Sequence, residues 1–140
     1  MFFDKKGDKM YNGAVLNGEL NRILGNLRHT DRICIADCGL PIPDGVEVVD
    51  LSLKMGEPSF LSVLDVVLAH FGVEKVFLAS ETESVNPMLH AALQARFAGT
   101  PCETMPHEEF KKLSASCRAI VRTGEDTAYA NLILQSSCIF

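Results

Sequence analysis

The sequence predicts an α/β fold: a single-domain, three-layer sandwich in which a mostly parallel sheet is covered by helices on both faces. Three observations predict it. Short apolar runs recur at residues 33–36, 46–51, 75–79 and 119–122, each too short for a helix and rich enough in branched residues for a buried strand. Segments with helical spacing separate most of them, and a parallel pair of strands requires such a crossover. At 140 residues the chain is one domain's worth, able to bury about two thirds of its unfolded surface.

The elements follow in order. Asn17 is placed to cap a helix over residues 18–27, with Leu20, Ile23, Leu24 and Leu27 on one face. Ile33, Cys34, Ile35 and Ala36 form the first strand, and a stiff loop with Gly39, Pro41 and Pro43 follows it. Residues 46–51 read as the second strand, with Gly56 and Pro58 in the connector after it. Pro58 and Ser59 open a helix to residue 71 that is apolar nearly all round and so expected to pack deep, with Gly72 as its stop. Residues 75–79 give a third strand and 81–85 a polar loop. Asn86 and Pro87 then supply a cap and first position for a helix to residue 97. A weak strand at 102–105, a short helix at 107–114, a strand at 119–122, a polar loop and a last strand at 129–135 complete the chain. Repeats, low-complexity tracts and flexible linkers are absent.

Charge and cysteine usage exclude several classes. A formal net charge of −5 argues against nucleic-acid and anionic-membrane partners, which select clustered Lys and Arg. The longest apolar stretch, residues 61–71, is broken by Ser62, Asp65 and His70 and falls short of the ~20 residues a membrane span needs. Residues 1–9 lack the features of a secretory signal, and the cysteines at 34, 38, 102, 117 and 138 form an odd set without a Cys-x-x-Cys. Reduced thiols in the cytoplasm are the expectation. His29, Cys34 and Cys38 offer zinc-type donors, but no second ligand pair follows, and Cys34 alternates with isoleucines as a core residue does. Neither a metal nor a cofactor is expected: the glycine-rich phosphate motifs are missing too.

Acid–base chemistry points first to histidine, the side chain that titrates nearest neutral pH. His70 and His90 fall inside helical segments and read as ordinary helix residues, whereas His29 and His107 stand at loop or cap positions among polar neighbours. Asp37 lies at the carboxyl end of the first strand, where open α/β sheets hold ligands; its plainer reading is an Asx turn toward Gly39. In a strand, Tyr129 and Asn131 would share one face with Ala130 on the other, which suits either a pair of hydroxyl contacts or a half-exposed edge.

The ordered set His29-Thr30-Asp31, Asp37, Gly39-Leu40-Pro41-Ile42-Pro43, Pro58-Ser59-Phe60, Asn86-Pro87, His107-Glu108, Gly124-Glu125 and Tyr129-Ala130-Asn131 resembles the ribose pyranase and fucose mutarotase family, the ribose branch most closely. The resemblance runs from about Met10 onward, so residues 10–140 would be the family domain and residues 1–9 an extension. It implies a cofactor-independent isomerase that interconverts the pyranose and furanose forms of D-ribose. In that reading His29 is the proton donor, Asp37, His107, Tyr129 and Asn131 hold hydroxyls, and Ala130 contributes backbone. It also implies a ring-shaped homo-oligomer, a pentamer or a decamer of paired rings. The alternatives are a fucose-type mutarotase, a noncatalytic sugar-binding accessory of a ribose transporter, and a plain structural domain.

Strand geometry adds a constraint. At about 3.3 Å per residue, the ends of an extended segment from Arg32 to Asp37 lie roughly 17 to 20 Å apart. One pentose cannot span that length, so either the chain doubles back or a neighbouring subunit completes the site. The second is expected, and the apolar fraction of 47% leaves room for an interface.

Overall fold

The computed structural model describes residues 13–139; the expected extension at residues 1–9 lies outside them. In chain order the elements are α1 (Gly18–Asn26), β1 (Arg32–Ala36), β2 (Glu47–Asp50), α2 (Phe60–Leu68), β3 (Val73–Ala79), α3 (Glu81–Val85), α4 (Pro87–Arg96), β4 (Cys102–Met105), α5 (His107–Ser114), β5 (Ala119–Arg122) and β6 (Leu132–Ser136). The strands form one sheet in the order β2-β5-β1-β6-β3-β4. β1 pairs parallel with β5, as do β2 with β5 and β3 with β4, while β6 runs antiparallel to both β1 and β3. The sheet is therefore mostly parallel, as expected, with one reversed strand near its middle. The cause is the connection: residues 123–131 contain no helix, and a chain leaving the carboxyl end of β5 without a crossover helix re-enters the sheet from that same end.

Alternation along β1 divides the core in two. Ile33 and Ile35 pack with Leu20, Ile23, Phe60, Val63, Leu64, Val67, Leu89 and Leu93, so α1, α2 and α4 cover one face. Cys34 and Ala36 point the other way, to Leu40, Phe77, Phe110, Cys117, Ile120 and Ile133, beneath α5. Every one of Ile33, Cys34, Ile35 and Ala36 is fully buried, which is why β1 shows no polar alternation.

Five expectations need correction. α2 buries only Phe60, Val63, Leu64 and Val67, a single stripe at positions i, i+3, i+4 and i+7; Val66 on its outer side is exposed. It also ends at Leu68, where the His70 amide bonds back three residues to the Val67 carbonyl at 3.0 Å and tightens the last turn. Gly72 serves another purpose, since a Cβ there would lie 2.4 Å from the Ser137 hydroxyl. Residues 81–85 close into the short helix α3 instead of a loop, an acidic turn free of glycine and proline. The last strand starts at Leu132 and not at residue 129, because Tyr129 adopts a left-handed backbone with φ 54°, which strands do not tolerate.

One glycine fixes the loop after β5. A Cβ on Gly124 would sit 2.1 Å from the Glu57 carbonyl oxygen, and the Gly124 amide donates to the Pro58 carbonyl at 2.9 Å. Gly124→Ala is expected to destabilise the fold by about 1–3 kcal/mol through forced backbone displacement, read as a lowered midpoint in urea unfolding.

Candidate active site

The segments that follow β1, β4 and β5 at the carboxyl edge of the parallel strands line a cavity of about 340 Å³, with Asp37, Gly39, Leu40, Pro41, His107, Ala128 and Tyr129 in its wall. That edge is where open α/β sheets place ligands, and the volume lies within the range of small-molecule pockets.

Asp37 is the first residue past β1, and two contacts fix its carboxylate. One oxygen accepts from the Gly39 amide at 3.0 Å, the Asx turn anticipated from sequence. The other accepts from the Asn131 side-chain amide at 3.1 Å, while the Asn131 carbonyl oxygen accepts from the Asp37 backbone N–H at 2.8 Å. Asn131 is only 1% exposed, so it acts as a buried clamp on Asp37 and presents little surface of its own. Ala130 is fully buried. The expectation that strand alternation would align Tyr129 with Asn131 fails, since both precede β6; the turn, not a pleat, directs them.

His107 opens α5. Its backbone N–H donates to both oxygens of Glu81, at 3.0 and 3.1 Å, and this bond is the main reason the Glu81 carboxyl is held below its ordinary range. The imidazole stacks on Phe110, with centroids 6.2 Å apart, and meets the Tyr129 ring edge-on at 5.0 Å. Its Nδ1 is buried without a hydrogen-bond partner. An unsatisfied buried nitrogen costs about 1–3 kcal/mol, and the ring that carries it belongs to the cavity wall.

Sequence reading missed the device that holds this wall. α3 carries Glu81 beneath His107; the Thr82 hydroxyl donates to the Tyr129 carbonyl at 3.1 Å; the Asn86 side-chain amide reaches the Thr127 hydroxyl at 3.0 Å and the Ala128 carbonyl at 2.8 Å. Thr82 is fully buried, and its position just past β3 was the only available signal. Thr82→Val, which keeps the shape and deletes the donor, is expected to leave the Tyr129 carbonyl unpaired and to destabilise the protein by about 1–3 kcal/mol, with Thr82→Ser recovering it. Thermal unfolding of both variants checks the pair. Gly124–Glu125 also proves structural: one Glu125 oxygen accepts from the Phe60 amide at 2.9 Å and caps α2, and the other accepts from Thr127 at 2.7 Å.

His29 lies elsewhere. It precedes β1, at the amino end of the strand, with its side chain half exposed and its Nε2 3.2 Å from Glu74. It lines a second cavity, of about 820 Å³, whose walls include Leu24, Leu27, His70, Phe71 and Ser137. The chain thus gathers Asp37, His107 and Tyr129, with Ala130 and Asn131 behind them, and holds His29 at the opposite, amino end of β1. Among the described residues no three His, Cys, Asp or Glu side chains are grouped to hold a metal ion. Cys34 lies in the core, where burial pushes its thiol well up. Among the described residues no helix is long and apolar enough to cross a membrane.

Comparison with known proteins agrees with this architecture. The chain is 48% identical over 131 residues to a D-ribose pyranase of Geobacillus kaustophilus, covering 94% of this chain and 96% of that one. It is 49% identical to a D-ribose pyranase of Laribacter hongkongensis over 94% of this chain and the whole of the other. Its fold superposes on Bacillus subtilis RbsD complexed with D-ribose with a TM-score of 0.90 at 45% identity, over 94% of this chain and 100% of that one. A fucose mutarotase of Streptococcus pneumoniae in complex with L-fucose shares the fold alone, with a TM-score of 0.72 at 20% identity over 89% of this chain and 94% of that one. The model of the RbsD / FucU transport protein family matches residues 10–139, and with a solved RbsD so similar along nearly its whole length, this chain belongs to the RbsD / FucU family.

Proposed function

We propose that the protein is a D-ribose pyranase, interconverting the pyranose and furanose rings of free ribose without a cofactor, with residues 10–140 as the catalytic domain. The observation that carries the proposal is the cavity at the carboxyl edge, together with near-complete coverage by relatives named for that reaction. Its chemistry suits a polyol. An oriented carboxylate at Asp37 has acceptor sites left over for hydroxyls, the His107 ring lines the same cavity, and the Tyr129 ring supplies an apolar wall for the sugar's C–H face. Asn131 and the Ala130 backbone act here by holding Asp37 and the turn in place.

The reaction needs two proton movements. The anomeric hydroxyl loses its proton to water as the bond between C1 and the ring oxygen breaks, leaving an aldehyde, and the ring oxygen takes a proton from His29. Attack of a different hydroxyl on the aldehyde, with the protons returned, closes a ring of another size. No atom is gained or lost. Positioned acid–base groups contribute about 10²- to 10⁴-fold to such steps.

The donor comes from a neighbouring copy. A strand's length separates His29 from Asp37 within one protomer, and Leu53, Met55, Val85 and Met88 are exposed apolar side chains of the kind an interface covers. We assign the assembly to a closed ring, a pentamer or decamer, working in the cytoplasm, where the five cysteines stay reduced. Magnetisation-transfer NMR on ribose tests the activity: catalytic amounts of protein are expected to accelerate pyranose–furanose exchange. Ribose binding without faster exchange would make the protein an accessory, and α/β exchange on fucose with none between ribose ring sizes would make it a mutarotase; either overturns the proposal.

A further inference from the structure

The backbone around His29 is fixed by its own bonds. The Arg28 amide donates to Asp31 at 2.9 Å, and the Thr30 amide donates to the Ser136 carbonyl at 3.0 Å. Thr30 takes a left-handed φ of 70°, which ends the turn. These contacts leave the imidazole free to rotate about its side-chain torsions. Among the described residues only one hydrogen-bonding side chain meets it: the Glu74 carboxylate at 3.2 Å from Nε2.

Glu74 is itself placed with unusual care. On β6, Ser136 pairs with Val73 and Gln135 with Lys75, so Glu74 is the extra residue of a β-bulge in β3. Bulges re-aim a side chain next to functional sites. The other Glu74 oxygen accepts from the Gln135 side-chain amide at 2.8 Å, and the Gln135 carbonyl oxygen accepts from Arg32 Nε at 3.1 Å. Arg32 is anchored in turn over the Phe77 ring, 4.7 Å from its centroid, and on the Ser116 hydroxyl. The bonds from Gln135 and His29 hold the Glu74 carboxyl below its ordinary range, so it is an acceptor at neutral pH. The bonds along Arg32, Gln135, Glu74 and His29 therefore form one ordered set, with the carboxylate receiving from both sides.

We propose that Glu74 is the positioning residue of His29: its carboxylate accepts the Nε2–H, fixes the ring orientation and turns Nδ1 to the sugar, so that the imidazolium gives its Nδ1–H to the ring oxygen and regains it when the new ring closes. This rests on His29 being the proton donor of the proposed reaction. The nitrogen that carries the working proton is set by the bond the other nitrogen makes, and losing the partner of a functional imidazole costs about 10- to 100-fold in activity in the best-studied, metal-binding cases.

Glu74→Gln tests the assignment because an amide cannot serve here. With one oxygen and one NH₂ it either opposes the Gln135 donor or opposes the His29 N–H. Its kcat for ribose ring exchange is expected to fall at least tenfold with KM within about twofold, and long-range ¹H–¹⁵N spectra are expected to show His29 leaving the Nε2–H form. The double variant Glu74→Gln with Gln135→Glu restores the order of donors. Its carboxylate, now at position 135, accepts from Arg32 and from the amide NH₂ at position 74, and the carbonyl of that same amide accepts from His29. Both readouts are expected to return toward wild type. Unchanged kcat and imidazole shifts in Glu74→Gln, or a folded double variant that recovers neither, would overturn the assignment. The imidazole spectra need no substrate, so a wild-type protein that fails to exchange ribose would count against the proposed activity while the spectra still decided the role of Glu74.

Discussion

Replacing His29 by alanine is expected to cut the rate of ribose pyranose–furanose exchange by about 10²- to 10⁴-fold, the usual share of a positioned acid, while the protein folds and binds ribose as before. The two halves of that expectation have separate causes. The imidazole is half exposed and, among the described residues, touches only Glu74 of the hydrogen-bonding side chains, so its loss falls within the roughly ±0.5 kcal/mol typical of surface substitutions. The groups assigned to hold hydroxyls lie at the other end of β1, and truncating residue 29 leaves them in place. Magnetisation transfer at saturating ribose measures the first half, and a ribose titration by calorimetry the second.

Asn131→Leu is expected to do the reverse, weakening binding about tenfold or more and destabilising the protein by about 1–3 kcal/mol. Leucine nearly matches asparagine in shape but makes none of its bonds. The Asp37 backbone N–H loses the acceptor 2.8 Å away and its carboxylate loses the donor at 3.1 Å, and a buried amide left without a partner carries the full desolvation penalty. The freed carboxylate then swings within the cavity, and ordering it again on binding costs affinity. Thermal unfolding reads the stability change and calorimetry the affinity. Unchanged ribose affinity with normal stability would mean that Asn131 does not hold Asp37.

Most of the fold was legible because its signals are local. The buried run at Ile33, Cys34, Ile35 and Ala36, the Asn17 cap with its side chain accepting from the Leu20 amide at 2.8 Å, and Pro87 at the head of α4 each follow from the residues on the spot. α5 spans His107–Ser114, the short helix expected there. What escaped depends on partners distant in sequence. Nothing near Tyr129 announces a left-handed turn, because it is held by Thr82, 47 residues earlier. The bulge that presents Glu74 shows only against β6. Asp37 was legible as a candidate both for an Asx turn and for a site, and it is built as the one and positioned for the other. Asn131 was expected to touch hydroxyls directly, but its burial gives it to Asp37 instead. The distance between His29 and Asp37 was foreseen from strand rise alone, the one long-range relation that needed no partner.

That distance leads to the most direct test. His29→Ala and Asp37→Asn are each expected to be nearly inactive; co-expressed as one mixed oligomer, they are expected to recover exchange activity, because about a quarter of the interfaces in a statistical mixture join an intact His29 of one chain to an intact Asp37 of the next. Recovery to roughly that fraction of wild-type activity is the predicted result. A purified mixed oligomer no more active than its inactive parents would contradict a site shared between copies.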